Sequence, residues 1–248
     1  MFKAIVAIIF LFITNFANAA EIVQTERTEA TLTSDVFAIA PKEKFHFAIN
    51  LKMKSGWHTY WKNPGESGTK PVFEWVLPKG FIISEAEFPA PQILKAGDII
   101  DYGYNDEVSF IFTVTPPEFL NNNVVTIYSL KAKWLVCKDV CIPEQGEFSI
   151  SLPVSEKPLA SDNSAKISEI IKNLPVWLDK EHIFARNKNN KISLNVTLNN
   201  ISAEKIKSVS FFPITENIAA LENAKNFVIR NKNIEFTINK NDNNSLKE

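Results

Sequence analysis

The sequence contains little cysteine, histidine and glycine. Its 248 residues include two cysteines, three histidines and seven glycines, and the formal net charge is −1. A chain with so little net charge has no electrostatic basis for binding nucleic acid or an anionic membrane surface. No phosphate-binding loop is present, and no Ser-His-Asp arrangement has local motif support. The cysteine pair is therefore the main candidate for chemistry.

Long apolar runs are also scarce, and none after residue 20 is long enough to cross a membrane. The N-terminus differs: Lys3 precedes an apolar run over residues 4–13, and Ala17-Asn18-Ala19 forms a small-x-small pattern. These features predict a signal peptide over residues 1–19, cleaved before Ala20. A retained anchor is the alternative, but the run is shorter than the roughly 18–20 residues that a span needs. We therefore expect a periplasmic protein, in a compartment where disulfides persist.

Alternating hydrophobicity predicts an all-β fold. In residues 45–51, Phe45, Phe47, Ile49 and Leu51 fall on one face of a strand. Proline and glycine breakers separate short runs of this kind, which favours an antiparallel β-sandwich over a βαβ fold. The other runs cover residues 72–76, 108–114, 124–136 and 146–152.

The composition changes after residue 152, which predicts a second, smaller β-rich domain. We expect a first domain over residues 20–152, a polar linker over 153–164 and a second domain over 165–240. The second domain would begin with a short helix over 165–173. A disordered tail would follow at 241–248. The strand candidates of the second domain are residues 191–198, 207–212, 226–229 and 234–238.

Cys137 and Cys141 are separated by three residues. Bonded cysteines have Cα atoms about 4.4–6.8 Å apart, whereas four steps along a strand span about 13 Å. The intervening residues must therefore turn. A hairpin, with Cys137 ending one strand and Cys141 opening the next, is the simplest geometry, and a helical turn is the alternative.

The pair admits a structural, a redox and a metal-binding interpretation. A disulfide that closes so small a loop stabilises the fold by only about 2 kcal/mol, through the lost entropy of the unfolded chain. A small ring at a turn is also accessible to a partner thiolate. Lys133 and Lys138 would favour the thiolate, whereas Asp139 would oppose it. Alternatively, Cys137 and Cys141 bind Cu(I) as a dithiol, or their disulfide only stabilises a non-catalytic interaction module. A closed zinc site lacks ligands next to the pair.

Four motifs in order resemble the N-terminal periplasmic domain of DsbD-type thiol:disulfide interchange proteins, in the branch that includes the suppressor-of-copper-sensitivity reductases. The resemblance covers roughly residues 31–152 and continues more weakly around Phe211-Phe212-Pro213. The motifs are Gly-Trp-His-Thr-Tyr-Trp-Lys-Asn-Pro-Gly-Glu-Ser-Gly at 56–68, Phe-Pro-Ala-Pro at 88–91, Asp-Tyr-Gly-Tyr at 101–104 and Cys-Lys-Asp-Val-Cys-Ile-Pro-Glu at 137–144.

The resemblance implies an immunoglobulin-like sandwich whose catalytic residues are Cys141 and Cys137, with no cofactor. Cys141 maps to the thiol that forms the mixed disulfide, and Cys137 to the resolving thiol. Tyr60, Tyr102 and Tyr104 map near the pair, and a shielding cap loop maps between residues 92 and 104. The best-known members have five residues between the cysteines, where this chain has three.

The resemblance also implies the partners of such a module. A thioredoxin-like domain or membrane reductase, acting in trans, would reduce it. It would in turn reduce a periplasmic disulfide isomerase or a cytochrome c maturation factor. The chain would then be a component of a protein-disulfide oxidoreductase, and nucleic acid is not expected as a partner.

Several neighbouring residues have plainer interpretations. Trp57 and Trp61 are expected to pack in the core or under the cap. His58 is expected to be a surface or packing residue rather than a base. Asp139 and Glu144 are expected to be solvated turn charges rather than proton relays.

Overall fold

The structure, a computed structural model, describes residues 19–121, 124–178, 182–188, 191–198, 206–216, 227–230 and 232–239. The predicted signal peptide, except for Ala19, and the predicted tail over 241–248 lie outside the described residues. Among the helices of the described ranges, none combines the length and the apolar character needed to cross a membrane.

Strands dominate the described residues, as the alternation predicts, and one helix, α1, spans Ser164–Lys172. The strands are β1 (Ala20–Gln24), β2 (Thr28–Ser34), β3 (Val36–Ala38), β4 (Phe45–Met53), β5 (His58–Gly65), β6 (Val72–Val76), β7 (Ile82–Ile83), β8 (Gln92–Ala96), β9 (Ile99–Asn105), β10 (Glu107–Thr115), β11 (Val125–Cys137), β12 (Cys141–Pro153), β13 (Leu159–Ala160), β14 (Ile183–Lys188), β15 (Lys191–Thr197), β16 (Phe227–Arg230) and β17 (Asn233–Asn239).

Two antiparallel sheets form the sandwich. One sheet has the order β1-β2-β4-β10-β7, and the other has the order β12-β11-β5-β9-β8, with β6 also pairing with β11. The predicted all-β, immunoglobulin-like class is therefore confirmed. All five runs predicted for this region coincide with strands, namely β4, β6, β10, β11 and β12.

The core lies between the two sheets. On β4 the residues Phe45, Phe47, Ile49 and Leu51 are each at most 1% exposed, as the period of two requires. Aromatic rings meet them from the opposite sheet, and the ring centroids of Phe47 and Tyr128 are 5.2 Å apart. Edge-to-face contacts of this kind add to the free energy of apolar burial.

The helix covers the outer face of the first sheet. Ile167 of α1 is buried against Ala48 and Ile111, which point away from the sandwich core. Residues 153–164, predicted as a linker, run along the sandwich: β13 pairs with β3, and the Ser161 N–H donates to the Asp35 carbonyl at 3.0 Å. The contacts found for the predicted first helix of the second domain are thus with the sandwich.

The later strands form a separate antiparallel sheet of order β14-β15-β17-β16. The candidates at 191–198, 226–229 and 234–238 correspond to β15, β16 and β17. The candidate at 207–212 is wrong, because these residues pair with no strand of the described ranges. Strand β14 was not predicted, because Ile183, Phe184 and Ala185 are followed by polar residues that break the alternation.

Candidate redox site

The disulfide lies at the tip of a long hairpin. Strands β11 and β12 pair without interruption from Val125 and Pro153 to Cys137 and Cys141, which face each other across the ladder. The two cysteines are bonded, with their Cα atoms 4.1 Å apart. The intervening three residues turn, and the Lys138 N–H donates to the Val140 carbonyl at 3.3 Å. The predicted hairpin geometry is therefore confirmed.

The two cysteine residues differ in exposure. Cys137 is 3% exposed, because it lies inside the sheet between β12 and β5, where it pairs with His58. Cys141 is exposed, since β12 is an edge strand. Val140, before it, is 61% exposed. A partner thiolate can therefore reach Cys141 much more readily than Cys137.

Tyr60 brings its hydroxyl to the disulfide from β5. The Tyr60 hydroxyl donates to Cys137 Sγ at 2.9 Å and lies 3.5 Å from Cys141 Sγ. The side chain is 1% exposed, and burial raises the pKa of its phenol above the ordinary value. The phenol therefore stays protonated near neutral pH and remains a hydrogen-bond donor. The structure thus brings together Cys137, Cys141 and Tyr60 of the predicted site.

A short loop covers the Tyr60 ring. This glycine loop, residues 65–68, follows β5, and a Cβ atom built on Gly68 would lie 2.2 Å from Cζ of Tyr60. The carboxylate of Asp101, on β9, holds the loop: the N–H of Ser67 donates to Oδ1 at 2.7 Å, and its hydroxyl donates to Oδ2 at 2.5 Å. The sequence analysis assigned no role to Ser67 or Asp101. The two glycines, three residues apart, are the feature of the sequence that indicates a tight loop here.

Tyr102 and Tyr104 lie on β9 and are both buried. The Tyr102 ring contacts Phe212, with centroids 5.2 Å apart, and burial raises its pKa to about 12. The Tyr104 hydroxyl donates to the Pro89 carbonyl at 2.8 Å, and burial raises its pKa too. Tyr102 also contacts the ring of Trp61, and Tyr104 contacts that of Phe110. The segment predicted as a cap forms the β8–β9 hairpin.

One histidine and two tryptophans near the pair differ in their burial. His58 is half-buried with its ring 5.5 Å from that of Tyr60; desolvation lowers the pKa of its imidazole, and the charge of Asp101 partly opposes the shift. Trp61 is buried in the sandwich core, whereas Trp57 is partly buried against it with the Arg27 guanidinium 4.8 Å from its ring centroid.

The charged residues of the hairpin divide into paired and exposed groups. Lys133 forms an ion pair with Glu74 at 2.7 Å, so its charge is partly neutralised. Lys138 and Asp139 are exposed at the turn, as expected for Asp139.

Glu144 does not behave as a solvated turn charge. Its carboxylate accepts hydrogen bonds from the hydroxyls of Thr25 and Thr28, at 2.7 and 2.6 Å, and from the Arg27 N–H at 2.9 Å. The indole of Trp134 in turn donates to Thr28 Oγ1 at 3.2 Å. Glu144 therefore fastens β12 to the β1–β2 turn, a role that the sequence did not indicate.

An open groove of about 410 Å³ lies beside the hairpin. Leu135 and Pro143, which face each other across the ladder, line one end of it and stand two residues from the cysteines. Among the residues described, no group of three or more His, Cys, Asp or Glu side chains is placed to hold a metal ion.

A buried cysteine, an exposed cysteine bonded to it and a phenol donor define a disulfide built into an immunoglobulin-like sandwich. The family described as the N-terminal domain of the thiol:disulfide interchange protein DsbD matches residues 27–153, more than half of the 248 residues. The chain belongs to this family. A search of curated proteins finds no match.

One of two similar solved structures supports the fold. The N-terminal periplasmic domain of ScsB from Proteus mirabilis superposes with a TM-score of 0.60 at 16% sequence identity, over 91% of this chain and 87% of that one. The reduced N-terminal domain of DsbD from Neisseria meningitidis gives a TM-score of 0.29 at 14% identity, over 50% of this chain and 85% of that one. The first similarity shows that the two proteins share a fold. The TM-score of the second is too low to support a shared fold.

Proposed function

We propose that the protein is a periplasmic thiol–disulfide exchange module that passes reducing equivalents through Cys137 and Cys141. The observation that carries the proposal is the asymmetry of the pair: Cys141 is exposed at the hairpin tip, and Cys137 is 3% exposed beneath it. Exchange needs one sulfur that a partner reaches and a second that is protected from it.

In the reductive half-reaction, a thiolate of the electron donor attacks Cys141 Sγ. A mixed disulfide forms, the Cys137–Cys141 bond breaks, and its electron pair leaves on Cys137. The second thiol of the donor, after losing its proton, attacks the donor sulfur of the mixed disulfide. This step releases Cys141 as a thiol and leaves the donor oxidised to its disulfide. Two electrons and two protons have then moved to the module.

In the second half-reaction, the Cys141 thiolate attacks a disulfide of the acceptor protein, and one acceptor thiol leaves. Cys137 then attacks Cys141 Sγ, which re-forms the intramolecular disulfide and releases the second acceptor thiol. The Tyr60 hydroxyl, 2.9 Å from Cys137 Sγ, would donate to the sulfur while it carries negative charge. A lower pKa of the leaving thiol speeds exchange, so Tyr60 assists the step in which Cys137 leaves.

The proposed electron donor is a thioredoxin-like domain or membrane reductase acting in trans. The proposed acceptors are a periplasmic disulfide isomerase or a cytochrome c maturation factor, which makes the protein a component of an oxidoreductase system. Membership of the family and the predicted signal peptide support these assignments. Tyr102 and Tyr104 would contribute by packing the strand that lies beside Tyr60.

The reduction potential of the pair tests the proposal. The protein without residues 1–19 is equilibrated with glutathione buffers, and free thiols are trapped and counted. We expect a potential between about −120 and −270 mV, the range of exchange proteins. A potential below about −300 mV would assign the disulfide a structural role and would favour the interaction-module interpretation.

Single-cysteine variants test the assignment of the two sulfurs. Cys137→Ser keeps the exposed sulfur, and Cys141→Ser keeps the buried one. We expect Cys137→Ser to form a mixed disulfide with oxidised glutathione much faster than Cys141→Ser. Equal rates in folded protein would contradict the assignment of Cys141 as the reacting thiol.

A further inference from the structure

We propose that Asp101 is a positioning residue of the redox site: its carboxylate holds the glycine loop against the Tyr60 ring, which keeps the Tyr60 hydroxyl on Cys137 Sγ. The inference rests on the proposed exchange function and adds a residue to it. Asp101 touches neither sulfur in the described structure, so its effect passes through Ser67, Gly68 and Tyr60.

The burial of Asp101 requires an explanation. The residue is 5% exposed, and it forms no ion pair within the described residues. A buried carboxylate is costly unless hydrogen bonds replace its hydration. Both carboxylate oxygens of Asp101 accept hydrogen bonds from the same residue: the Ser67 N–H donates to Oδ1, and the Ser67 hydroxyl donates to Oδ2. Hydrogen bonds to a charged acceptor are roughly twice as strong as neutral ones.

Two glycines allow the loop to pass close to the β9 backbone and to the Tyr60 ring. Gly65 and Gly68 have φ values of +99° and +75°, in the region that favours glycine. A Cβ atom on Gly65 would lie 2.6 Å from the Ile100 carbonyl oxygen, and one on Gly68 would overlap the Tyr60 ring. The backbone of Gly68 therefore rests directly on the ring.

The loop is also held at its start. The Oδ1 of Asn63 accepts from the Gly65 N–H at 3.1 Å, and the Oε2 of Glu66 accepts from the Ile100 N–H at 2.6 Å. Ser67 follows these two attachments and is held by Asp101. Releasing Ser67 would free the part of the loop that contacts Tyr60 while leaving Gly65 and Glu66 attached.

A displaced Tyr60 hydroxyl would change the chemistry of Cys137 in a predictable direction. Without this donor the Cys137 thiolate is less stable, so the pKa of the reduced thiol rises and Cys137 becomes a poorer leaving group. Reduction of the disulfide by an attacking thiolate should then slow. A disulfide whose reduced form loses stabilisation also has a more negative reduction potential.

The test is a double-mutant cycle between Asp101→Ala and Tyr60→Phe. The rate of reduction by dithiothreitol is measured for the wild type, both single variants and the double variant. We expect each single variant to slow reduction by about three- to tenfold. We expect the double variant to be no slower than Tyr60→Phe, because Asp101 acts through the Tyr60 hydroxyl. Equal effects of Asp101→Ala in the presence and absence of that hydroxyl would overturn the proposal.

Three further variants guard against a folding defect. Ser67→Ala removes the hydroxyl hydrogen bond to the carboxylate but keeps the one from the Ser67 N–H, so it should slow reduction in the same direction by a smaller factor. Asp101→Asn removes the charge but retains hydrogen-bonding capacity, so it separates positioning from charge. Asp98→Ala, at an exposed turn of the same β-hairpin, is the matched control and should react as the wild type does. If Asp101→Ala does not fold, Ser67→Ala and Asp101→Asn in both Tyr60 backgrounds decide the question.

A second measurement does not depend on exchange. In a Cys141→Ser background, the pKa of Cys137 is read from the ultraviolet absorbance of its thiolate. We expect Asp101→Ala and Ser67→Ala to raise this pKa, whereas an unchanged pKa would overturn the positioning role. A wild-type potential below about −300 mV would instead refute the exchange function itself, so the two failures are distinguishable.

Discussion

The sandwich and the later four-stranded sheet are both antiparallel, but their strands are covered differently. On β4 of the sandwich, Phe47 is buried by the opposite sheet, and Ala48, on the other face, is buried by α1. On β17, Ile234, Phe236 and Ile238 are buried, whereas Glu235 and Thr237 on the other face are exposed. Coverage on both faces leaves a strand little freedom to move. Strand β4 is therefore held more firmly than β17.

The two regions meet at neighbouring phenylalanines. Phe211 packs toward the later sheet, with its ring centroid 6.1 Å from that of Phe236. Phe212 packs toward the sandwich, with its centroid 6.1 Å from that of Trp61. The amide of Asn63 donates to the Pro213 carbonyl at 2.7 Å. Because Asn63 also accepts from the Gly65 N–H, the contact between the regions reaches the end of the glycine loop.

The largest expected effect comes from truncating the sandwich core. Phe47→Ala should lower the free energy of unfolding by about 3–5 kcal/mol, because a fully buried ring leaves a cavity. Urea denaturation followed by tryptophan fluorescence measures the change. Phe236→Ala in the later sheet is the matched variant, and it should leave the sandwich transition in place. Loss of the sandwich transition in Phe236→Ala would show that the two regions fold as one unit.

A smaller effect is expected at Glu144. Glu144→Ala should destabilise the sandwich by about 2–3 kcal/mol, because three donors lose a charged acceptor. The control is Glu147→Ala on the same strand. That carboxylate is 74% exposed and forms an ion pair with Lys131, so the change should cost less than about 0.5 kcal/mol. Equal midpoints for the two variants in urea would contradict the fastening role of Glu144.

The contact between the regions should contribute less still. Phe212→Ala removes a half-buried ring from the sandwich and should lower its stability by about 1–2 kcal/mol. It should also increase cleavage of the later region by a protease. Phe211→Ala, the neighbouring control, should affect the later sheet and leave the sandwich unchanged. Identical protease patterns for the two variants would argue against the opposite orientations of these rings.

The smallest expected effect is on the pH dependence of stability. Desolvation lowers the pKa of His58 in the folded protein below its ordinary value of 6.5. As the pH falls below 6.5, the unfolded state therefore binds more protons than the folded state. The contribution of His58 is therefore present above pH 6.5 and is lost as the pH falls toward the lower folded pKa. Between pH 7 and 5, thermal unfolding of the wild type should lose more stability than that of His58→Gln. A steeper loss in His58→Gln would contradict the sign.

The sequence allowed much of the sandwich to be predicted. Alternation located β4, β6 and β10. The distance between bonded cysteines required a turn, and the strand propensity of the flanking residues placed Cys137 and Cys141 at the ends of two paired strands. These features are local, since they follow from the period of a strand and from the reach of four residues. The strand predicted at 207–212 was wrong because the half-buried rings of Phe211 and Phe212 pack against two different regions rather than against one face of a sheet.

The site divides in the same way. The sequence by itself determined the cysteine pair, the hairpin that presents it and, through resemblance, Tyr60. Only the tertiary structure decided that Cys141 is exposed while Cys137 is buried, that Asp101 holds Ser67, and that Glu144 fastens β12. The physical reason is separation along the chain: Ser67 and Asp101 are 34 residues apart, and Glu144 and Thr28 are 116 residues apart. No local pattern specifies partners at that distance; the packing of two sheets does.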